Sequence, residues 1–275
     1  MKIFISFDME GVAGIASWEE MDREKEMVKR LATEEINAVA RGIKESKKII
    51  NQIWVVDSHA AGENLIPDSL EQGITLVKGT PRPMYMMEGI DDSYDLLFCI
   101  GCHSRIGAIQ GVMDHTYSPS VIYEIRINNI PVSELDINAG LAAHYGVPLA
   151  LVSGDKALIE EVKAYYPKVE TVITKYGISR FASINRHPEE VREELFSKAK
   201  KVVETRPNAY SCRKWKLPLK LEIDFVDTLS ADVVSLLPNL KRESGRRISF
   251  ETPDFVKLYK LLITMIRLAQ SEKRK

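Results

Sequence analysis

Three apolar runs in the first 103 residues each end on side chains that can bind a metal. Ile3-Phe4-Ile5-Ser6-Phe7 leads into Asp8-Met9-Glu10, Ile53-Trp54-Val55-Val56 into Asp57-Ser58-His59, and Leu96-Leu97-Phe98-Cys99-Ile100 into Gly101-Cys102-His103. Asp8 and Glu10 are two apart, which on extended chain points both carboxylates to one side. Carboxylates held that close repel unless a cation or a proton lies between them. With His59 and His103 the set mixes nitrogen and oxygen donors, which suits zinc or another first-row divalent ion better than magnesium or calcium. Glu134 is a fifth candidate. Five ligands exceed the need of one tetrahedral zinc, and a carboxylate such as Asp8 could bridge two ions about 3.5–4 Å apart. Metal-bound water falls from a pKa of about 15.7 to roughly 7, so a paired-metal hydrolase acting through metal-bound hydroxide is the expected chemistry. Taken singly, a strand-end histidine is better explained by a structural hydrogen bond, and Asp8 as well by a cap or turn. Their joint placement favours one shared site.

Elements that would position such a site follow from periodicity. In an open parallel α/β sheet, ligands bind beyond the carboxyl ends of the strands, where residues distant in sequence converge. Ser17-Trp18-Glu19-Glu20 fits a capping box and opens one long helix to about Ser46, with Met27, Leu31, Ile36, Val39 and Ile43 as its apolar stripe. A further strand is expected at Ile74-Thr75-Leu76-Val77, and an irregular functional loop from Gly101 to Pro119. Asn128-Asn129 makes a hairpin turn between Tyr123–Ile127 and Ile130–Val132. Glu134 opens a helix through His144, followed by a buried strand at Leu149–Val152. Beyond Val169 the order is less regular: a helix from Pro188 to Val203, strands at Leu219–Phe225 and Arg247–Glu251, and a last helix from Pro253 to about Gln270. The expected fold class is α/β: a mostly parallel sheet flanked by helices, with metal ligands at strand carboxyl ends, plus a smaller α+β C-terminal portion. A catalytic portion is drawn at 1–185 and the C-terminal portion at 186–275.

Composition narrows the function classes. With 275 residues and 45% hydrophobic content the chain can bury a large core without disulfides. Its 38 basic and 39 acidic residues nearly cancel, and no basic stretch interleaves with aromatics, so no nucleic-acid partner is expected. There is no signal-peptide pattern and no apolar run of roughly 18 residues, so neither secretion nor a membrane is expected. Three cysteines read as reduced thiols in a cytoplasmic protein. Cys99-Ile-Gly-Cys102 has redox spacing but lies in an apolar strand, and Gly11-Val-Ala-Gly14 is an incomplete dinucleotide loop beside acidic Asp8 and Glu10. Met84-Tyr85-Met86-Met87 reads as packing or pocket lining, and Lys273-Arg274-Lys275 as a solvated tail.

Phe7-Asp8-Met9-Glu10-Gly11-Val12, Asp57-Ser58-His59, Glu88-Gly89-Ile90-Asp91, Gly101-Cys102-His103, Gly111-Val112-Met113-Asp114-His115 and Glu134-Leu135-Asp136-Ile137-Asn138-Ala139, in this order, resemble the zinc-dependent D-aminopeptidase family found with bacterial dipeptide-transport operons. The likeness continues through Val152–Asp155 and Ile178–Ala182 and covers roughly the first 185 residues well. It implies two zinc ions per chain, with Asp8 bridging and Glu10, His59, His103 and Glu134 completing the shells. It also implies His115 as the catalytic residue; from chemistry alone this histidine is a base, an acid, an oxyanion donor or a plain surface residue. His144 and His187 match no motif. A ring-shaped homo-oligomer is implied too. Around His103 this chain has Cys102 and Ser104 where members commonly have Tyr and Ala, and Ile106–Gln110 replaces an Ala-Gly-Thr-x-Pro pattern, so pocket-lining differences are expected there. The resulting expectation is a zinc-dependent aminopeptidase that removes a D-configured N-terminal residue from short peptides. The rivals are a metal-dependent amidase or esterase on non-peptide substrates, and a non-catalytic peptide-binding accessory protein of a transport system.

Overall fold

The computed structural model of the protein describes residues 1–274. Strand β1 (Lys2–Phe7) shows how the sheet is sandwiched: Ile3, Ile5 and Phe7 enter one apolar core while Phe4 enters another, as the two-residue repeat of a strand requires. Along the chain follow α1 (Trp18–Arg23), α2 (Lys25–Lys44), β2 (Gln52–Asp57), β3 (Ile74–Val77), β4 (Leu96–Cys102), β5 (Ile122–Ile127), β6 (Ile130–Pro131), α3 (Glu134–His144), β7 (Leu149–Asp155) and α4 (Lys156–Tyr165). The remainder is β8 (Glu170–Ser179), β9 (Ala182–Asn185), α5 (Pro188–Glu204), β10 (Leu219–Phe225), α6 (Thr228–Val234), β11 (Lys241–Arg242), β12 (Arg247–Thr252) and α7 (Phe255–Ser271).

The larger sheet has the order β3-β2-β1-β4-β7-β8-β9, parallel except for β9 at its edge. From β1 the chain builds outward to β2 and β3, then returns to the other side with β4, β7 and β8. The crevice where strand order reverses therefore lies between the carboxyl ends of β1 and β4, the place where open α/β sheets bind ligands. Helices α2 and α5 pack together over one face. The other face meets α3, α7 and a smaller antiparallel sheet, β11-β12-β10-β5-β6.

The expected α/β class holds, and three details differ from the sequence expectation. The long helix from Ser17 is two helices, broken at Glu24, whose φ of −107° and ψ of 42° are not helical. Nothing in Met21–Val28 disfavours a helix; the break lets α1 bury Met21 and turn Trp18 toward Glu10 while α2 follows the sheet. Ser17 accepts from the Glu20 amide as expected, but the Glu20 carboxylate reaches back to Ala16 N (2.8 Å) instead of closing a capping box on Ser17. The chain after Val169 is also more regular than expected, since β8 and β9 complete the main sheet.

The two sheets are not separated at residue 185. β5 and β6 belong to the second sheet, where Ile125 and Ile127 of β5 face Ile223 and Leu221 of β10 in one core, and α5 lies on α2 behind the first sheet. At the basic end, Lys273 Nζ pairs with Asp227, and Lys275 lies outside the described residues. Among the described residues no helix is long and apolar enough to cross a membrane.

Candidate metal centre

Two glycines bring the first and fourth strand ends together. Gly11 N donates to Gly101 O (2.7 Å) and Asp8 N to Ile100 O (2.8 Å). A Cβ at Gly11 would stand 1.9 Å from Cys102 O, and one at Gly101 would stand 2.1 Å from Asp8 O. Gly101 also has φ of +71°, a region that side chains disfavour. Only without side chains at both positions can Asp8 and Glu10 lie against His103.

The loop after β2 is wound around Asp57, which anchors it and stays outside the donor cluster. Its carboxylate accepts from Asn64 N (2.6 Å), Leu65 N (2.9 Å) and Asn64 Nδ2 (2.7 Å), and Asn64 Nδ2 also donates to His59 O (2.8 Å). His59 is thereby presented with Nδ1 2.9 Å from Glu10 Oε2 and 3.6 Å from Asp8 Oδ1. His103 Nδ1 donates to Ser104 O (2.9 Å), which leaves Nε2 facing Asp8 Oδ2 and Glu134 Oε1, each at 3.4 Å. Glu134 is the first residue of α3, behind a full capping box formed by Ser133 and Asp136, and its Oε1 accepts from Tyr117 N (2.5 Å). The expected ligands Asp8, Glu10, His59, His103 and Glu134 thus meet at one point, and every one but His59 is buried.

His115 joins them. Its Nδ1 donates to Met113 O (2.8 Å), and its Nε2 lies 3.8 Å from Glu10 Oε1 and 3.7 Å from Glu134 Oε1. Its ring stacks on His103 with centroids 4.0 Å apart and planes at 9°. The loop is braced by Arg180, whose Nε pairs with Asp114 Oδ1 (3.0 Å) and whose carbonyl accepts from Met113 N (2.7 Å). Met113 and Tyr117 have φ of +52° and +60°, uncommon backbone that gathers at functional loops.

The electrostatics are those of a cation site. Burial pulls the His59 and His103 imidazoles down, but Glu10 and Asp8 for His59, and Asp8 and Glu134 for His103, more than offset it and raise both well above the ordinary value. Burial and the adjacent His103 instead lower His115. Glu10 is held well below the usual carboxylate range: burial opposes this, and the histidines, His59 foremost, outweigh it. His103 Nε2 is buried with no aligned hydrogen-bond partner, although two carboxylates stand 3.4 Å away. A metal satisfies such an atom. Three carboxylates and imidazoles oriented by backbone carbonyls make a donor set that fits zinc. Donor atoms of Asp8, Glu10 and His103, and those of His103, His115 and Glu134, form two groups compact enough to hold an ion.

A cavity of about 850 Å3 opens over the cluster, walled by Trp18, Tyr85, Tyr117 and α7 residues including Ile263 and Arg267. Cys102, Ser104 and 106–110 were expected at its wall and are not among the residues lining it. Cys102 packs into the core, Ser104 Oγ lies 3.3 Å from Asp155 Oδ2, and Ile109 is exposed. Trp18 and Lys175 were not anticipated. Trp18 Nε1 donates to Glu10 Oε1 (2.9 Å), and its ring meets His115 edge to face. Lys175 Nζ, fully buried, donates to Glu10 O (2.6 Å) and Ile15 O (2.5 Å) and pins the loop after β1. Burial pulls its pKa down to about 8. A lysine inside Val172-Ile173-Thr174-Lys175 was the available signal. His144 closes α3, and His187 caps α5, accepting from Glu189 N, so both are structural.

Comparison with known proteins agrees with this geometry. A family model described as D-aminopeptidase, peptidase family M55, matches residues 1–264. A D-aminopeptidase of Bacillus subtilis (strain 168) is 30% identical over 277 residues, spanning 98% of each chain. Among solved structures, the zinc-dependent D-aminopeptidase DppA from Bacillus subtilis, a self-compartmentalizing protease, superposes with a TM-score of 0.92 at 28% identity, again over 98% of each chain. Because the match runs through both sheets and every strand end that feeds the cluster, the chain belongs to the M55 family of D-aminopeptidases.

Proposed function

We propose that this protein is a zinc-dependent aminopeptidase that hydrolyses a D-configured N-terminal residue from short peptides, working as a cytoplasmic homo-oligomer. The observation that carries the reading is the meeting of Asp8, Glu10, His59, His103 and Glu134 beneath the cavity, beside His115. Asp8 turns Oδ1 toward His59 and Oδ2 toward His103, so its two oxygens serve different imidazoles. That division supports two zinc ions, which Asp8, Glu10, His59, His103 and Glu134 would hold between them. When bound, zinc supplies a water activated at neutral pH and a Lewis acid for the scissile carbonyl.

The protein's own groups do the rest. His115, with its proton fixed on Nδ1 by Met113 O, offers Nε2 to the cavity as a proton acceptor. The same nitrogen then returns the proton to the leaving amine. Trp18 holds Glu10 through Nε1 and covers one edge of His115, limiting water at the reacting group. Tyr117 N fixes the Glu134 carboxylate. The homo-oligomer is supported by the self-compartmentalizing relative.

Elemental analysis of protein purified without chelator, alongside turnover of D- and L-configured dipeptides, amides and esters, tests the reading. About two zinc ions per chain with preferred release of D-residues is the expected result. A chain that binds peptides without product, or cleaves only non-peptide substrates, overturns it.

A further inference from the structure

The cavity is charged unevenly. Its floor carries the three carboxylates, while α7 adds a guanidinium, Arg267, to the wall. Arg267 Nη2 donates to the backbone carbonyl of Arg82 (3.1 Å) and makes no ion pair among the described residues. Arg82 follows the wall residues Thr80 and Pro81 and is only 6% exposed. One of its nitrogens, Nη1, donates to Asp57 O (2.8 Å), whereas Nε and Nη2 have no partner. Arg267 therefore stands at the cavity wall as a cation without an ion pair among the described residues, whereas Arg82 lies off the wall, in the field of the Asp57 and Glu88 carboxylates. A guanidinium at a cavity wall with no ion pair gains a charge-assisted contact when an anionic group enters that cavity. Tyr85 links the two regions. Its ring lies 5.8 Å from the Arg82 guanidinium, and the nearby carboxylates of Glu134, Asp8 and Glu10 reinforce the upward shift that burial gives its hydroxyl. Tyr85 also holds φ of +41°, a strained backbone that keeps its ring at the wall.

A floor whose carboxylates would hold zinc over the scissile bond and a cationic side chain on the wall of the same cavity suit a substrate that carries an anionic end beyond that bond. We propose that Arg267 binds the free C-terminal carboxylate of a di- or tripeptide and so confines the site to short peptides. This rests on the aminopeptidase reading above and assigns that site its selectivity. The guanidinium is suited to the task because its fork matches both carboxylate oxygens.

The test uses a non-hydrolysable ketomethylene dipeptide analogue, as free acid and as C-terminal amide, in D and L configurations, titrated calorimetrically into the zinc-loaded protein. KM and kcat for the corresponding dipeptides are measured in parallel. The free acid is expected to bind ten- to a hundredfold tighter than the amide, on the order of one charge-assisted contact. Arg267→Gln is expected to lower the free acid to the level of the amide, raising KM more than it changes kcat, and Arg267→Lys to restore part of the gap. Unchanged zinc content and melting temperature in both variants exclude a folding defect, and Arg267→Lys carries the test if Arg267→Gln misfolds. Equal binding of acid and amide by the wild type, or a gap that survives Arg267→Gln, overturns the carboxylate assignment while peptide turnover leaves the aminopeptidase reading standing. Failure to bind or cleave either form overturns both.

Discussion

Replacing Gly11 by alanine tests whether the close approach of two strand ends builds the metal centre. The added Cβ would sit 1.9 Å from Cys102 O and 2.5 Å from the Gly101 carbonyl carbon, where real contacts essentially never fall below 3.0 Å. Both obstacles are backbone, so no side-chain rotation relieves them, and the loops after β1 and β4 must part by roughly 1 Å. That separation stretches the 2.7 Å bond from Gly11 N to Gly101 O inside a buried region, a loss of about 1–3 kcal/mol. With strain of similar size the total is about 2–5 kcal/mol, lowering the melting temperature by roughly 3–9 °C for a chain of 275 residues. Asp8 and Glu10 move away from His103 by the same displacement, and misplacement by 1 Å costs turnover on the order of a hundredfold. Gly146→Ala is the control. Gly146 has φ of +77° and nothing within 4 Å of the added carbon, so only the backbone penalty of about 1–2 kcal/mol applies and the site is untouched. Zinc content, thermal unfolding and dipeptide turnover are measured for both. Gly11→Ala should lose zinc and activity, whereas Gly146→Ala should lose only stability. A Gly11→Ala protein with full zinc and turnover within twofold of wild type refutes the argument.

His115→Ala should retain zinc and lose turnover by about 10²- to 10⁴-fold, checked by elemental analysis and steady-state rates; unchanged turnover removes His115 from the proton path. His103→Ala should instead lower zinc per chain, because its unpartnered Nε2 faces Asp8 and Glu134, and full occupancy would contradict its role as a ligand. Glu35 gives a pH-dependent outcome. Its carboxyl is fully buried, with Oε1 accepting from Ala13 N (2.8 Å) and Oε2 unpartnered, and burial raises its pKa from 4.5 to about 7. A raised folded-state pKa means its stabilising contribution is full below about pH 4.5 and is lost as pH rises through about 7, since the folded state holds the proton that the unfolded chain releases. Denaturant unfolding should show wild type losing on the order of 3 kcal/mol relative to Glu35→Gln between those limits. Parallel pH profiles for the two proteins would show that Glu35 does not titrate this way.

The candidate site was legible to the extent that its residues are marked by local pattern. An apolar run of strand length ends where the chain leaves the core, so Asp8, His59 and His103 could be placed at strand ends without coordinates. Asn128-Asn129, both at positive φ, and Ser133 before Glu134 are short-range signals for a turn and a helix start, and both were readable. What remained hidden depends on contacts between residues far apart in sequence. The break at Glu24 is imposed by where Met21 and Trp18 must go, against good local helix preference. The pairing of β5 with β10 is chosen by matching apolar faces nearly a hundred residues apart. Lys175 beneath Glu10, the glycine contact between β1 and β4, and Arg267 beside Arg82 have no periodicity to announce them. Local pattern thus determined which groups could bind a metal and on which strand ends they stand, because the backbone's own periodicity dictates side-chain direction. Tertiary packing alone decided how closely those groups approach, which protons they hold and which charges face the cavity, because distance and desolvation exist only once the sheets and helices have closed on one another.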